Sequence, residues 1–173
     1  MEASGIARGW HDLYVMLGTS TAALIGLLFI ATSLHIGEVV SNLGFRIRAY
    51  NGTLYLLTLL VEAVLVLSPQ PAQALGLEIC ALNLVGLAFP LKNFYRYLYK
   101  NADAARRAGF IAYRGFTYAL AYIFGVVGGA GIAAGSHWGM FIVTASYTTL
   151  MVAVVIGAWA IMLGIGQTES VQK

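Results

Sequence analysis

The chain has 173 residues, of which 60% are hydrophobic and only 10% are charged. An average soluble domain has about 45 to 50% apolar and about 25% charged residues. This composition excludes an ordinary soluble domain, a disordered chain, a collagen-like repeat and a coiled coil, because each needs more polar, periodic or charged sequence. It predicts an integral membrane protein, in which the positions of the ten lysine and arginine residues matter more than the net charge of +3.

Five apolar runs predict an all-α integral membrane protein, a bundle of five transmembrane helices joined by short loops. A transmembrane helix needs about 20 residues, so this length has room for four or five spans and no soluble domain. The chain is one transmembrane domain, residues 1–173, with spans at residues 13–36, 52–67, 74–98, 115–134 and 139–165. The first run exceeds the about 7 to 15 apolar residues of a signal peptide, so it is expected to be retained.

The connections between the runs carry distinct signals. Ser68-Pro69-Gln70-Pro71 predicts a tight hairpin between the second and third spans, since proline cannot continue a helix. The third span runs into residues 92–100, where cations alternate with aromatic rings, as at a membrane interface. Either this segment completes the crossing or it lies along the membrane surface. The single Cys80 excludes an internal disulfide.

Nine of the ten cations fall on one side of this topology: Arg46, Arg48, Lys92, Arg96, Lys100, Arg106, Arg107, Arg114 and Lys173. Only Arg8 falls on the other side. The positive-inside rule therefore places the amino terminus outside and the carboxyl terminus in the cytoplasm. From the shortness and composition of the chain, the cell inner membrane is its expected location. The basic cytoplasmic face is expected to contact anionic lipid headgroups. Because membrane topology already accounts for these charges, nucleic acid is not expected as a partner.

Three spans carry ladders of small residues, which let helix backbones approach closely in lipid. The ladders are Gly18, Ala22 and Gly26; Ala121, Gly125, Gly129 and Ala133; and Ala145, Thr149, Ala153 and Gly157. They either close a compact monomeric bundle or seal a homo-oligomer. In a third interpretation the glycines of the fourth span let that helix unwind and expose carbonyls to an ion, although no second broken helix matches it.

An ionisable residue inside a span is a candidate functional site, because burying it in lipid is unfavourable. Asn51, Tyr55, Thr58 and Glu62 follow at spacings of 4, 3 and 4 and share one helical face. This polar stripe predicts a proton or cation pathway ending at Glu62. The alternative is a structural, protonated Glu62 bonded to a neighbouring helix. Rougher polar stripes on two other spans are candidates to face it: Thr21, Thr32 and His35 on the first, and Thr144, Tyr147 and Thr148 on the fifth.

Four further polar residues fall with Glu62 in the outer half of the predicted bundle: His11, Asp12, Glu78 and His137. Such a set suits a divalent metal or a proton-coupled site, but the spacing is no ligand motif, so no metal is predicted. A haem held by His11 and His137 is a weaker alternative. His11 and His35 are excluded as a pair of haem ligands, since 24 residues of helix separate them by about 36 Å.

These observations predict a small channel or transporter that works as a homo-oligomer, because a short chain gains a pore most simply by symmetry. The alternative is a noncatalytic subunit or regulator of a larger membrane complex, with the small-residue ladders as docking faces. An intramembrane metal or haem enzyme is the least favoured interpretation. The chain contains no GxSxG sequence and no phosphate-binding glycine loop, so neither an enzyme nor a cofactor is predicted.

Overall fold

The computed structural model of the protein describes residues 9–41, 43–100 and 105–171, and every regular element among them is helical. The helices are α1 His11–Leu34, α2 Ile36–Ser41, α3 Leu43–Leu67, α4 Ala72–Lys100, α5 Ala105–Ala133 and α6 Trp138–Val171. Four segments are long and apolar enough to cross a membrane: His11–Leu34, Ala49–Leu67, Phe116–Ala133 and Trp138–Trp159. The structure thus confirms an all-helical chain that is compatible with a multi-pass membrane protein.

Helix α4 differs from these four segments. It has 29 residues and continues through Pro90 to Lys100. Among the residues whose side chains are described its apolar segment is Ala72–Ala88, and the sequence stays apolar from there to Leu91, before Lys92. The remaining turns contain the cations and aromatic residues that follow Lys92. The count of five spans therefore stays a prediction.

Two short connections end helices by identifiable chemistry. After α3, the segment 68–71 contains two prolines, and the Gln70 amide donates to the Leu65 carbonyl at 3.0 Å, capping the helix end. After α5, Gly135 has φ +79°. Its N–H donates to the Ile132 carbonyl at 2.9 Å, and the Ser136 N–H donates to Gly131 at 2.8 Å. This is a Schellman motif, in which glycine supplies the left-handed conformation that ends the helix.

These connections fix how the helices are arranged. Helix α3 packs against α1, α4 and α6, while α5 lies between α4 and α6. The connections 68–71 and 134–137 lie at one end of the bundle, which we call the loop end. Helix α1 begins there too, since the Trp10 ring packs edge-on against Phe141 with centroids 4.7 Å apart.

The outer surface of the bundle is apolar. Large side chains stand exposed along every long helix, among them Phe29, Val64, Leu84, Phe124 and Trp159. A soluble monomer rarely exposes so much contiguous apolar surface, whereas lipid requires it. The interior, by contrast, contains the polar side chains Thr21, Glu62, Asn83 and Ser146 in fully or almost fully buried positions.

Candidate functional site: a buried carboxyl among five helices

Glu62 lies near the carboxyl end of α3 and has no solvent exposure. Its hydrogen-bond partner is Asn83 of α4, equally buried, whose Nδ2 donates to Oε2 of Glu62 at 3.2 Å. The same Nδ2 donates to the Ile79 carbonyl, one turn back along α4, at 2.9 Å. Both amide hydrogens of Asn83 are thus used, which fixes the direction of its side chain.

Asn83 and Tyr122 are held by reciprocal packing between α4 and α5. A Cβ atom added at Gly125 would overlap the amide group of Asn83, and one added at Gly86 would overlap the Tyr122 ring. Asn83 and Gly86 are three residues apart on α4, and Tyr122 and Gly125 are three apart on antiparallel α5. Each polar side chain therefore occupies the space above a glycine of the opposite helix. We call these four residues the Asn–Tyr lock.

Three tyrosines surround Glu62. Tyr14 of α1, Tyr122 of α5 and Tyr147 of α6 have no solvent exposure, and each interacts electrostatically with the Glu62 carboxyl. The Tyr147 hydroxyl hydrogen-bonds Thr21 at 2.7 Å, and the Tyr14 hydroxyl hydrogen-bonds Thr144 at 3.1 Å. Together with Asn83 of α4, each of the four other long helices thus contributes a polar side chain near this carboxyl.

Three buried polar atoms of this cluster have no hydrogen bond of normal geometry among the described residues: Glu62 Oε1, Asn83 Oδ1 and the Tyr122 hydroxyl, which lies close to the Thr58 side chain. Most buried polar atoms in proteins are paired, so three unpaired ones in one cluster call for an explanation. Among the cationic side chains that the structure describes, none pairs with Glu62. The ion pair seen in the described part of the chain joins His11 and Asp12 at the surface, at 3.2 Å.

The predicted stripe on α3 is only partly interior. Tyr55 is buried and stacks on Tyr118 of α5, with ring centroids 4.4 Å apart, and lies 6.1 Å from the Tyr122 ring. Thr58 is half-buried and donates to the Leu54 carbonyl of its own helix at 2.9 Å. Asn51, at the far end, is also half-buried. The stripe thus leads along the α3–α5 contact towards Glu62.

The two rougher polar stripes, on α1 and α6, also lie only partly inside the bundle. Thr21 and Tyr147 bond each other next to Glu62, and Thr144 bonds Tyr14. The other three, Thr32, His35 and Thr148, bond to carbonyl groups one turn back on their own helix. Backbone bonding of this kind is the usual role of hydroxyl residues inside membrane helices.

The predicted outer polar residues lie apart from Glu62. His11, Asp12, Glu78 and His137 are all exposed, whereas Glu62 is buried. Within the described part of the chain, no three His, Cys, Asp or Glu side chains come together as metal ligands.

The three small-residue ladders have different surroundings. On α5, Gly125, Gly129 and Ala133 face α4, and the Ala121 carbonyl accepts a hydrogen bond from Ser146 of α6 at 2.7 Å. On α1, Gly18 faces Ala63 of α3, whereas Ala22 and Gly26 are exposed. On α6, Ala145 and Thr149 are exposed and Ala153 and Gly157 are half-buried. A groove of about 380 Å³ between α5 and α6 is lined partly by Thr117, Thr149, Ala153 and Ile156.

Sequence reasoning singled out Glu62 but assigned no role to Asn83, Tyr122 or Tyr14. The available signal was a polar residue followed three positions later by glycine, which occurs as Asn83–Gly86 and again as Tyr122–Gly125. Comparisons of the chain with protein-family models, with curated proteins and with solved structures give no significant match. The geometry around Glu62 is therefore the feature that points to a function.

Proposed function

We propose that the protein is a small multi-pass membrane protein that passes protons or cations, with Glu62 as its ion-binding residue. The observation that carries the proposal is the Glu62 carboxyl itself. It is fully buried, it interacts with polar side chains from four other helices, and its Oε1 has no hydrogen-bond partner among the described residues. A buried carboxyl oxygen that has no partner among the described residues is unfavourable, and it is the atom at which a proton or cation can be taken up.

Polar side chains extend from Glu62 in both directions along the bundle. Nearer the loop end is the pair Tyr14–Thr144, three residues into α1 and six into α6. The pair Tyr147–Thr21 lies nine residues into α6 and ten into α1, at the level of Asn83. Towards the opposite end are Thr58, Tyr55 and Asn51 on α3. Hydroxyl groups both donate and accept hydrogen bonds, so they are suited to relaying a proton. In this proposal Glu62 is the step at which the ion is held.

The depth of the site supports an intramembrane role. Asn83 and Tyr122 each lie 11 residues from the loop end of their helix. This is about 16 Å at 1.5 Å per residue, close to the middle of a hydrocarbon core of about 30 Å. The backbone of Glu62 lies five residues, about 8 Å, from the loop end of α3, so the carboxyl is held between that level and the level of its deeper neighbours.

The proposed topology has five membrane crossings, with the amino terminus outside and the carboxyl terminus in the cytoplasm. The membrane is proposed to be the cell inner membrane. The close packing of α4 on α5 from Gly76 to Gly86 supports α4 as the fifth crossing. The charge bias supports the orientation. Arg8 and Lys173 lie outside the described residues, as do the side chains of Arg48, Arg96, Lys100, Arg106, Arg107 and Arg114. The basic end is proposed to contact anionic lipid.

The proposed functional unit is a homo-oligomer. The ladders of α1 and α6 leave Ala22, Gly26, Ala145 and Thr149 exposed. Small residues on a lipid-facing surface allow a second helix to approach closely. The exposed small residues of α1 and α6 therefore support self-association of the bundle.

The test is ion flux into liposomes that contain the purified protein. Glu62→Gln removes the ionisable group and keeps the side-chain size, so pH-driven flux should be lost while the protein stays folded. Glu78→Gln is the matched control, because the same chemical change is made at an exposed position of α4. Wild-type flux in the Glu62→Gln variant would contradict the pathway.

The second candidate function is a noncatalytic subunit of a larger membrane complex, for which the exposed ladders would be docking faces. Gly125 and Gly129 are unsuited to that role because α4 already covers them. Gentle solubilisation, followed by measurement of the particle mass and protein content, separates the two candidates. A particle that contains only identical copies of this chain supports the pore. A particle that contains other proteins, and that no longer retains them in the Ala145→Leu variant, supports the subunit.

A further inference from the structure

We propose that the ion held at Glu62 is a proton and not a metal cation, and that Glu62 and Asn83 bind it as a carboxylic acid–carboxamide pair. This inference rests on the proposed function and names its substrate. Half of such a pair is present, since Asn83 Nδ2 donates to Glu62 Oε2 at 3.2 Å. The other half would be a bond from a proton on Glu62 Oε1 to Asn83 Oδ1.

The unpaired atoms support this arrangement. Glu62 Oε1 and Asn83 Oδ1 both lack partners among the described residues. An amide oxygen can only accept, and so can the oxygen of an ionised carboxylate, so the two cannot satisfy each other without a proton. One proton on Oε1 turns that oxygen into a donor. A single proton thereby removes two of the three unpaired polar atoms of the cluster.

The groups that face Glu62 favour the same protonation state. Tyr14 of α1, Tyr122 of α5 and Tyr147 of α6 are its titratable neighbours, with Asn83 on α4. None of them is cationic. Tyr55, on the same helix as Glu62, is neutral as well. An ionised carboxylate without a positive partner is strongly disfavoured in a buried site, so the resting form is the neutral acid.

A metal cation suits the site poorly. Mg²⁺ takes about six oxygen ligands and Ca²⁺ about six to eight, whereas three unpaired oxygen atoms are found here among the described residues. The Asn–Tyr lock also fills the space above Gly86 and Gly125. A proton needs neither additional ligands nor a cavity. Its release leaves a carboxylate that keeps the bond from Asn83 Nδ2, and its return restores the acid.

Infrared spectroscopy of the reconstituted protein tests the pair without measuring flux. At neutral pH the wild type should show the carbonyl stretch of a protonated carboxyl, sensitive to exchange into D₂O. The band should be missing in Glu62→Gln and present in Glu78→Gln. Asn83→Leu should move it to higher frequency, because the carbonyl oxygen Oε2 loses its hydrogen bond. The wild-type minus Glu62→Gln difference does not depend on whether the Asn83 variant folds.

Thermal stability in detergent provides a second measurement. Glutamine in place of Glu62 has an amide N–H that can donate permanently to Asn83 Oδ1. The wild type has that donor only while the proton is bound, so its melting temperature should fall relative to Glu62→Gln as pH rises. Equal pH dependence of the two proteins contradicts the pair.

The outcomes separate this inference from the function on which it rests. A carboxyl band in a protein that shows no flux overturns the proposed pathway and leaves the acid–carboxamide pair standing. Flux driven by a Na⁺ or K⁺ gradient, without a proton gradient, overturns the inference and supports the pathway. Absence of the wild-type band at neutral pH also overturns it.

Discussion

Two ladders of small residues look alike in the sequence and have opposite surroundings in the structure. On α5, Gly125 and Gly129 lie so close to α4 that an added Cβ would overlap Asn83 at the first and approach Cys80 Sγ to 2.9 Å at the second. On α1, Gly26 has no neighbour within 4 Å of such a Cβ. The same spacing thus closes the interior along α5, whereas on α1 only Gly18 faces another helix and Ala22 and Gly26 face outward.

The difference is explained by what the neighbouring helix presents. Helix α4 carries Asn83, a polar side chain that must be buried and bonded, and only a glycine opposite leaves room for it. Gly86 serves Tyr122 in the same way. A glycine is therefore required where a bulky or polar side chain crosses the interface, and not merely where small residues repeat.

The largest expected effect on stability comes from adding a side chain at Gly125, the glycine of the Asn–Tyr lock that lies closest to a side chain of the opposite helix. In Gly125→Leu the new side chain must displace Asn83, which holds Glu62. We expect the free energy of unfolding to fall by about 3 kcal/mol, at the upper end for overpacking a buried site. Thermal unfolding of the purified protein in detergent measures it. A melting temperature equal to that of wild type would show that α4 and α5 are not closely packed.

A smaller substitution in the Asn–Tyr lock tests the packing of the Tyr122 ring, and a companion variant tests its hydroxyl group. Gly86→Ala adds one methyl group against the Tyr122 ring, which has to shift. The expected loss is about 1 to 2 kcal/mol. Tyr122→Phe is the companion variant, since it removes the hydroxyl and keeps the ring. Tyr50→Phe, at an exposed position of α3, controls for the loss of one hydroxyl. Full stability in Gly86→Ala would contradict the reciprocal arrangement.

The sequence predicted helices well because apolar runs of about 20 residues have one stable solution in lipid. Helices α3 and α5 nevertheless extend further than their apolar runs, since backbone hydrogen bonding continues into polar residues such as Arg46. Glu62 stood out because carboxyl groups are rare inside spans. Its partner Asn83 did not, because which face of α4 meets α3 depends on contacts between helices and not on spacing within one.

The smallest effect on stability is expected at Gly26 of α1, which faces outward. Gly26→Leu adds a side chain where no atom lies within 4 Å of its Cβ, so the stability of the protomer should change by no more than about 0.5 kcal/mol. The particle mass in mild detergent is then the informative measurement. If α1 seals the proposed oligomer, leucine at this position should release protomers while leaving each one folded. An unchanged particle would assign self-association to the exposed residues of α6, Ala145 and Thr149, where the same substitution can be repeated.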